Sequence, residues 1–311
     1  MDNQNAKHTV SVIIPTYNRS MFISNSINSI LKQTFQEFEI IVVDDSSTDN
    51  TKEIVIGFND NRIKYIQNKV NRGAAYSRNV GIEYSNGHYL AFLDDDDEWT
   101  NDKLELQIEK FSNSSKDIGL IYCGYIYVND GIIIKKDIQK IDGNTHSFCL
   151  NQSLGSMSLA LIRHDCIKKI GGFDTSLPSC QDWDLWIRLS SEYEFDYVDK
   201  PLVIRNIHGN QITANVNLKI QGRKILLKKY IKDLQNNKKI YSSHLGRLGS
   251  LYSLNNNNNK AKKYFYNAIA NNPYNMLNYI HLILSIISAD IHKKVILKYG
   301  VMKIGKAFLY H

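Results

Sequence analysis

The chain has 311 residues, enough for one large domain with an appendage or for two domains. A composition of 43% hydrophobic and 22% charged residues argues against wholesale disorder. Four scattered cysteines without a CxxC pair (Cys123, Cys149, Cys166, Cys180) argue against a zinc site or a disulfide scaffold, and fit a reducing compartment.

The net charge of +7 is unevenly placed: from Lys219 onward 17 Lys and Arg face 2 Asp and Glu, whereas the first 218 residues carry 21 against 29. Such asymmetry suits either an anionic partner for the basic part or a solvated basic face. The polar start, Met1-Asp2-Asn3-Gln4-Asn5-Ala6-Lys7-His8, does not read as a signal peptide, so a cytoplasmic domain is expected. No apolar stretch approaches the ~20 residues of a membrane-spanning helix.

Val10-Ser11-Val12-Ile13-Ile14-Pro15 is a β-branched run stopped by proline and reads as a buried strand. Phe22, Ile23, Ile27, Ile30 and Leu31 then recur at helical spacing. Glu39-Ile40-Ile41-Val42-Val43 predicts a second strand ending in Asp44-Asp45-Ser46-Ser47, and Thr48-Asp49-Asn50 can cap the helix behind it. A third strand is expected at 62–66 and a helix opening at Asn71-Arg72-Gly73. A fourth strand runs into the acidic stretch Asp94-Asp95-Asp96-Asp97-Glu98-Trp99. Alternating strands and helices imply βαβ units and a mostly parallel sheet. In such sheets ligands bind at the carboxyl ends of the strands, where the polar loops 16–19, 44–47 and 94–98 fall. No GxGxxG or GxxxxGK[ST] follows a strand, so a dinucleotide fold of the common type and a P-loop are disfavoured.

Packed like charges are costly unless a cation neutralises them, and Asp and Glu oxygens suit Mg²⁺ or Mn²⁺. The acidic stretch is therefore either a metal loop or a solvated cap on the next helix. Beyond it, residues 118–142 are β-rich with an Asn129-Asp130-Gly131 hairpin turn, and 145–163 show no clear periodicity. Asp182 opens an amphipathic helix carrying Trp183, Trp186, Ile187 and Leu189. On local sequence alone, Asp182 is simplest as an N-cap.

Seven segments, in order, resemble the family 2 glycosyltransferases. They are Val12-Ile13-Ile14-Pro15-Thr16-Tyr17-Asn18-Arg19, Val42-Val43-Asp44-Asp45-Ser46-Ser47-Thr48-Asp49, the run from Asn71 to Gly81, Phe92-Leu93-Asp94-Asp95-Asp96-Asp97-Glu98-Trp99, Gly171-Gly172-Phe173-Asp174, Asp182-Trp183-Asp184-Leu185-Trp186-Ile187-Arg188, and Arg205-Asn206-Ile207-His208. The resemblance covers roughly residues 9–215. It implies an α/β GT-A fold, a nucleotide-sugar donor (UDP being commonest), Mn²⁺ or Mg²⁺, and inverting transfer. It also implies a nucleotide-sugar-binding set of Pro15, Thr16, Tyr17, Arg19, Asp44, Asp45, Arg78, Asp94 and Asp95. Asp96, Asp94 and His208 are the implied metal ligands, Asp182 the catalytic base, and Gly172 and Trp183 the acceptor-side residues. The family's usual Glu-Asp pair is Gln181-Asp182 here, which keeps the base but loses the preceding acid. Asp95, Asp97 and Glu98 are otherwise expected only to shape the turn and cap the next helix.

Residues 9–218 are thus expected to form the catalytic domain and 219–311 a basic helical region. Within the latter, 245–273 look like one tetratricopeptide-type hairpin, which cannot bury its own face. It must pack on the catalytic domain, on neighbouring helices or on a partner. The basic, apolar region as a whole is expected either to rest on the anionic cytoplasmic membrane face near a lipid-linked or other glycan acceptor, or to be a helical appendage packed against the core. The competing class is a non-catalytic nucleotide-sugar binder or scaffold. Nucleic-acid binding is not expected, for want of a motif and an aromatic platform.

Overall fold

The computed structural model describes residues 9–141, 145–207 and 215–304, with 298–304 as backbone. The β-branched runs become β1 (Val10–Thr16) and β2 (Phe38–Asp44), buried at every position. Near-continuous apolar strands of this kind are those covered on both faces. They are joined by β3 (Ile63–Gln67) and β4 (Tyr89–Phe92) in a parallel set, with α1 (Ile23–Leu31), α2 (Thr51–Gly57) and α3 (Ala74–Glu83) as connections. Helix α3 lies close on β1: a Cβ on Gly81 would come within 2.4 Å of the Ile13 side chain. Only glycine allows that approach.

The remaining strands are β5 (Asp97–Trp99), β6 (Ile118–Asn129), β7 (Ile132–Asp137), β8 (Leu161–Arg163) and β9 (Glu194–Asn206). They extend the sheet in the order β3-β2-β1-β4-β8-β6-β9-β5, with β7 paired to β6. Here the expected parallel arrangement gives way to a mixed one. β8 is antiparallel to both β4 and β6, and β5 is antiparallel to β9. Three-residue strands such as β8 are too short to carry a periodic signal. The two-residue turn between β6 and β7 is formed as expected, with Asp130 and Gly131 at φ +48° and +78°. The helices of this part are α4 (Lys103–Ser112), α5 (Thr145–Asn151), α6 (His164–Ile170) and α7 (Gln181–Ser190).

Two compact units make up the chain. The first comprises Met1–His146, Leu154–Thr175 and Leu185–His208, and the second Ser147–Ser153, Ser176–Asp184 and Gly209–His311. The second unit is helical: α8 (Val216–Lys229), α9 (Ile231–Asn236), α10 (Lys238–Leu254), α11 (Asn258–Asn271), α12 (Met276–Ile287) and α13 (Ala289–Ile304). Its asparagines have a local role. The side chains of Asn215, Asn237, Asn257 and Asn275 each accept backbone N–H groups at the start of α8, α10, α11 and α12. Each such cap is worth ~1 kcal/mol.

Candidate active site

The loops after β1 and β2 are laced together at the carboxyl edge of the sheet. The Asp45 N–H donates to the Thr16 carbonyl, Asn18 N–H to the Ser47 hydroxyl, and Thr48 N–H to Asn18 Oδ1. Asn18 and Ser46 take left-handed backbone at φ +52° and +70°. Thr16 is buried, and Tyr17 presents its ring at 46% exposure. Asp44 accepts Ser47 N–H on one oxygen and the Tyr65 hydroxyl on the other, at 2.7 and 2.6 Å. Asp45 accepts Asn68 Nδ2 at 2.8 Å, Arg72 N–H at 3.0 Å and Gly73 N–H at 2.6 Å. These bonds engage both carboxylate oxygens, so Asp45 anchors the 68–73 loop that leads into α3.

The acidic stretch alternates. Asp94, Asp96 and Glu98 are partly exposed, while Asp95, Asp97 and Trp99 are buried. Asp94 accepts from Arg78 Nη2 at 2.7 Å, and the Arg78 guanidinium lies 5.4 Å from the Phe173 ring centre. Asp95 turns inward, 3.8 Å from Arg19 Nε. Burial pushes its carboxyl up to about 7, the Asp96 charge adding and the Thr16 hydroxyl and Arg19 opposing. Asp97 and Glu98 do not cap a helix as expected. They form β5, where Asp97 is registered against Arg205 and Glu98 against Ile204, and Glu98 accepts from Asn206 Nδ2. Burial pushes the Asp97 carboxyl well above its ordinary range, against the Arg205 charge.

Residues without any sequence signal brace this loop. The Ser26 hydroxyl lies within 2.9 Å of the Asp95 and Asp97 carbonyls. The Ser158 hydroxyl bridges the Asp94 N–H and the Asp97 carboxylate, and the Ser158 carbonyl accepts Trp99 Nε1. Ser158 sits in a short 3-10 turn, Met157–Leu159, inside the aperiodic stretch.

The donor set suits the implied cation. Asp94 and Asp96 offer hard carboxylate oxygens on the open side, and like-charge repulsion around them would be relieved by Mg²⁺ or Mn²⁺. Among the described residues no group of three or more His, Cys, Asp or Glu is poised to hold a metal. A one- or two-carboxylate site completed by water and phosphate is the arrangement Mg²⁺ ordinarily takes. His208 lies outside the described residues.

Gly172 belongs to the first unit, at φ +69°, with its N–H in a turn at the end of α6. Arg188 donates to the Ile170 and Gly172 carbonyls at 2.9 and 2.6 Å, so it braces this turn. Asp182 lies in the first turn of α7 and is partly exposed. It and Trp183 belong to the second unit. Trp183 is 1% exposed, its Nε1 donates to the Cys149 carbonyl, His244 stacks on it at 5.2 Å, and the Arg223 guanidinium lies over the ring at 4.7 Å. The ring is thus packed inside its unit and offers no face to an acceptor sugar, contrary to expectation.

Sequence and structure comparisons agree with this architecture. Residues 11–171 match the family described as Glycosyl transferase family 2. An Escherichia coli protein, UDP-Glc:alpha-D-GlcNAc-diphosphoundecaprenol beta-1,3-glucosyltransferase WfgD, is 36% identical over 212 residues, covering 68% of this chain and 81% of the relative. The putative teichuronic acid biosynthesis glycosyltransferase TuaG of Bacillus subtilis is 37% identical over 163 residues, covering 51% of this chain and 64% of TuaG. The chain belongs to glycosyltransferase family 2. Its fold is GT-A: the crystal structure of S. aureus TarS 1-349 with UDP-GlcNAc superposes with a TM-score of 0.62 at 20% identity, covering 94% of this chain and 91% of that one. The mannosyltransferase PcManGT from Pyrobaculum calidifontis, in complex with GDP-Man and Mn2+, gives 0.58 at 15% identity, covering 92% and 86%.

Proposed function

We propose that this glycosyltransferase moves a hexosyl or N-acetylhexosaminyl group from a UDP-sugar to a hydroxyl of a lipid-linked glycan, with inversion and with a divalent metal. The observation that carries the reading is the alternation of the acidic stretch, which turns Asp94 and Asp96 outward beside the loops of β1 and β2. The donor and acceptor classes follow those in the name of WfgD, a UDP-Glc:alpha-D-GlcNAc-diphosphoundecaprenol glucosyltransferase.

In this reading Thr16, Tyr17, Arg19 and the loop held by Asp44 and Asp45 receive the nucleoside. Arg78 steadies Asp94 and places positive charge beside the diphosphate. Mn²⁺ or Mg²⁺ held by Asp96 with Asp94 would stabilise charge on the departing diphosphate. Asp182 takes the proton from the acceptor hydroxyl as its oxygen attacks the anomeric carbon and the bond to the diphosphate breaks. A single displacement needs no protein nucleophile and inverts the anomeric centre.

The test is a thermal-shift screen of UDP- and GDP-sugars with and without Mn²⁺, followed by product analysis on a diphospholipid-linked N-acetylglucosamine acceptor. Metal-dependent stabilisation by one UDP-sugar, transfer with inversion, and loss of transfer in Asp182→Asn are expected. Transfer undiminished in Asp182→Asn would remove that residue as the base. Stabilisation only by GDP-sugars would remove the donor assignment.

A further inference from the structure

Helix α12 is built inside out. Its buried positions are polar: Asn278, His281 and Ser285, at spacing i, i+3, i+7. The opposite side carries Met276, Ile280, Ile283 and Ile287 at i, i+4, i+7, i+11, and these are 67%, 50%, 53% and 68% exposed. Two spacings of this kind place the two sets on opposite faces of one helix.

Hydrogen bonds fix that orientation. Asn278 Nδ2 donates to the Ser242 hydroxyl at 3.2 Å, and Asn258 Nδ2 donates to the Ser285 carbonyl at 2.7 Å. The His281 and His292 rings meet nitrogen to nitrogen at 3.0 Å, and His292 reaches the Ser253 hydroxyl at 3.0 Å. Turning α12 to bury its isoleucines would strip partners from these groups, which is costly. The apolar stripe therefore faces outward. It continues at Ile291, 50% exposed, at the start of α13, and Tyr274 before α12 is 90% exposed.

A contiguous apolar stripe of this size marks an interaction surface. Its surroundings specify the partner's chemistry. The sequence from residue 219 onward has 17 Lys and Arg against 2 Asp and Glu, and at the stripe itself the exposed Asp290 precedes Ile291 while the exposed Lys294 follows it by one helical turn. No helix among the described residues is long and apolar enough to cross a membrane. An apolar stripe flanked by lysine, with an exposed tyrosine able to sit at headgroup level, fits the plane of a lipid surface. We propose that α12 and the start of α13 dock the chain on an anionic bilayer, with Met276, Ile280, Ile283 and Ile287 in the acyl boundary and the lysines at the headgroups.

Flotation of the full chain with phosphatidylcholine vesicles, with and without phosphatidylglycerol, tests this without turnover, so its outcome is independent of the transfer reaction. Binding to the anionic vesicles is expected. Ile283→Asp with Ile287→Asp should lower it at least about tenfold, and Lys294→Gln about fivefold. These positions are exposed, so circular dichroism and donor turnover should match the native chain. Failure of the native chain to float with anionic vesicles would overturn the proposal, as would equal flotation of the double aspartate variant. A native dimer that the double variant converts to monomer, with no vesicle binding by either, would assign the stripe to a second copy instead.

Discussion

The Asp94 N–H donates to the Ser158 hydroxyl at 3.1 Å, and the same hydroxyl donates to the buried Asp97 carboxylate at 2.7 Å. A single side chain thus ties the outward-facing part of the acidic stretch to its buried part. Ser158→Ala removes both bonds and leaves a buried carboxylate short of a donor, a loss of ~1–3 kcal/mol. The expected result is a lower melting temperature and a raised half-saturating Mn²⁺ concentration for donor turnover, with both largely restored in Ser158→Thr. A change in stability alone, with Mn²⁺ dependence intact, would show that Ser158 supports the fold without positioning Asp94.

The alternation of exposure predicts that neighbouring aspartates fail differently. Asp96→Asn should leave the fold intact and lower kcat/KM by about 100-fold, the loss of a metal ligand costing several kcal/mol of charge stabilisation. Chelation by EDTA should lower native activity to a similar level and add little to the variant. Asp97→Ala should act on stability instead, because it removes a buried side chain that accepts from the Ser158 hydroxyl at 2.7 Å and sits in register with Arg205. Leaving buried polar partners unsatisfied costs ~1–3 kcal/mol. Chemical denaturation of the two variants, set beside their activities, checks the contrast.

Trp183 separates a packing role from a ligand role. Its ring is enclosed by His244 and Arg223, with Nε1 bonded to the Cys149 carbonyl. Trp183→Ala should cost ~3–5 kcal/mol and reduce the yield of folded protein. Trp183→Phe should keep most of the packing and leave the acceptor KM within about twofold. A selective rise in acceptor KM with unchanged stability would restore the acceptor role.

The parallel half of the sheet was legible chiefly through β1 and β2, which are buried at every position, so that the unbroken runs Val10–Thr16 and Phe38–Asp44 announce themselves. The mixed half was less so. β5 takes up Asp97-Glu98-Trp99, a sequence that looks like loop and helix cap and becomes strand only through pairing with β9. Asp44, Asp45, Arg78, Asp94 and Asp96 could be picked out from their motifs, but the groups that hold them could not. Ser26, Asn68, Tyr65 and Ser158 are ordinary polar residues whose role comes from contacts 21 to 71 positions away. Trp183 misled because an amphipathic stripe does not say which of its aromatics has both faces covered.

Buried histidines give the second unit a defined acid sensitivity. Burial holds the His244 imidazole down to about 3, with Arg223 and Arg247 adding, while its Nε2 contacts the Leu150 carbonyl at 2.7 Å. Burial and the neighbouring His281 hold His292 down to about 4. Both are depressed below the ordinary value near 6.5. The unfolded chain therefore takes up protons first as pH falls. The stability these rings contribute is complete above about pH 6.5 and is lost progressively as pH falls toward 4 and then 3. Asp95 in the first unit has the opposite sign, since a carboxyl raised to about 7 favours the folded state as pH falls from there. A comparison with His244→Gln cancels that contribution. The native chain should lose stability relative to the variant by about 1.4 kcal/mol per pH unit once pH is well below 6.5. Urea unfolding followed through far-UV circular dichroism, from pH 7.5 to 4.5, measures the difference. Parallel curves for the two proteins across that range would mean that His244 is not held neutral by the fold.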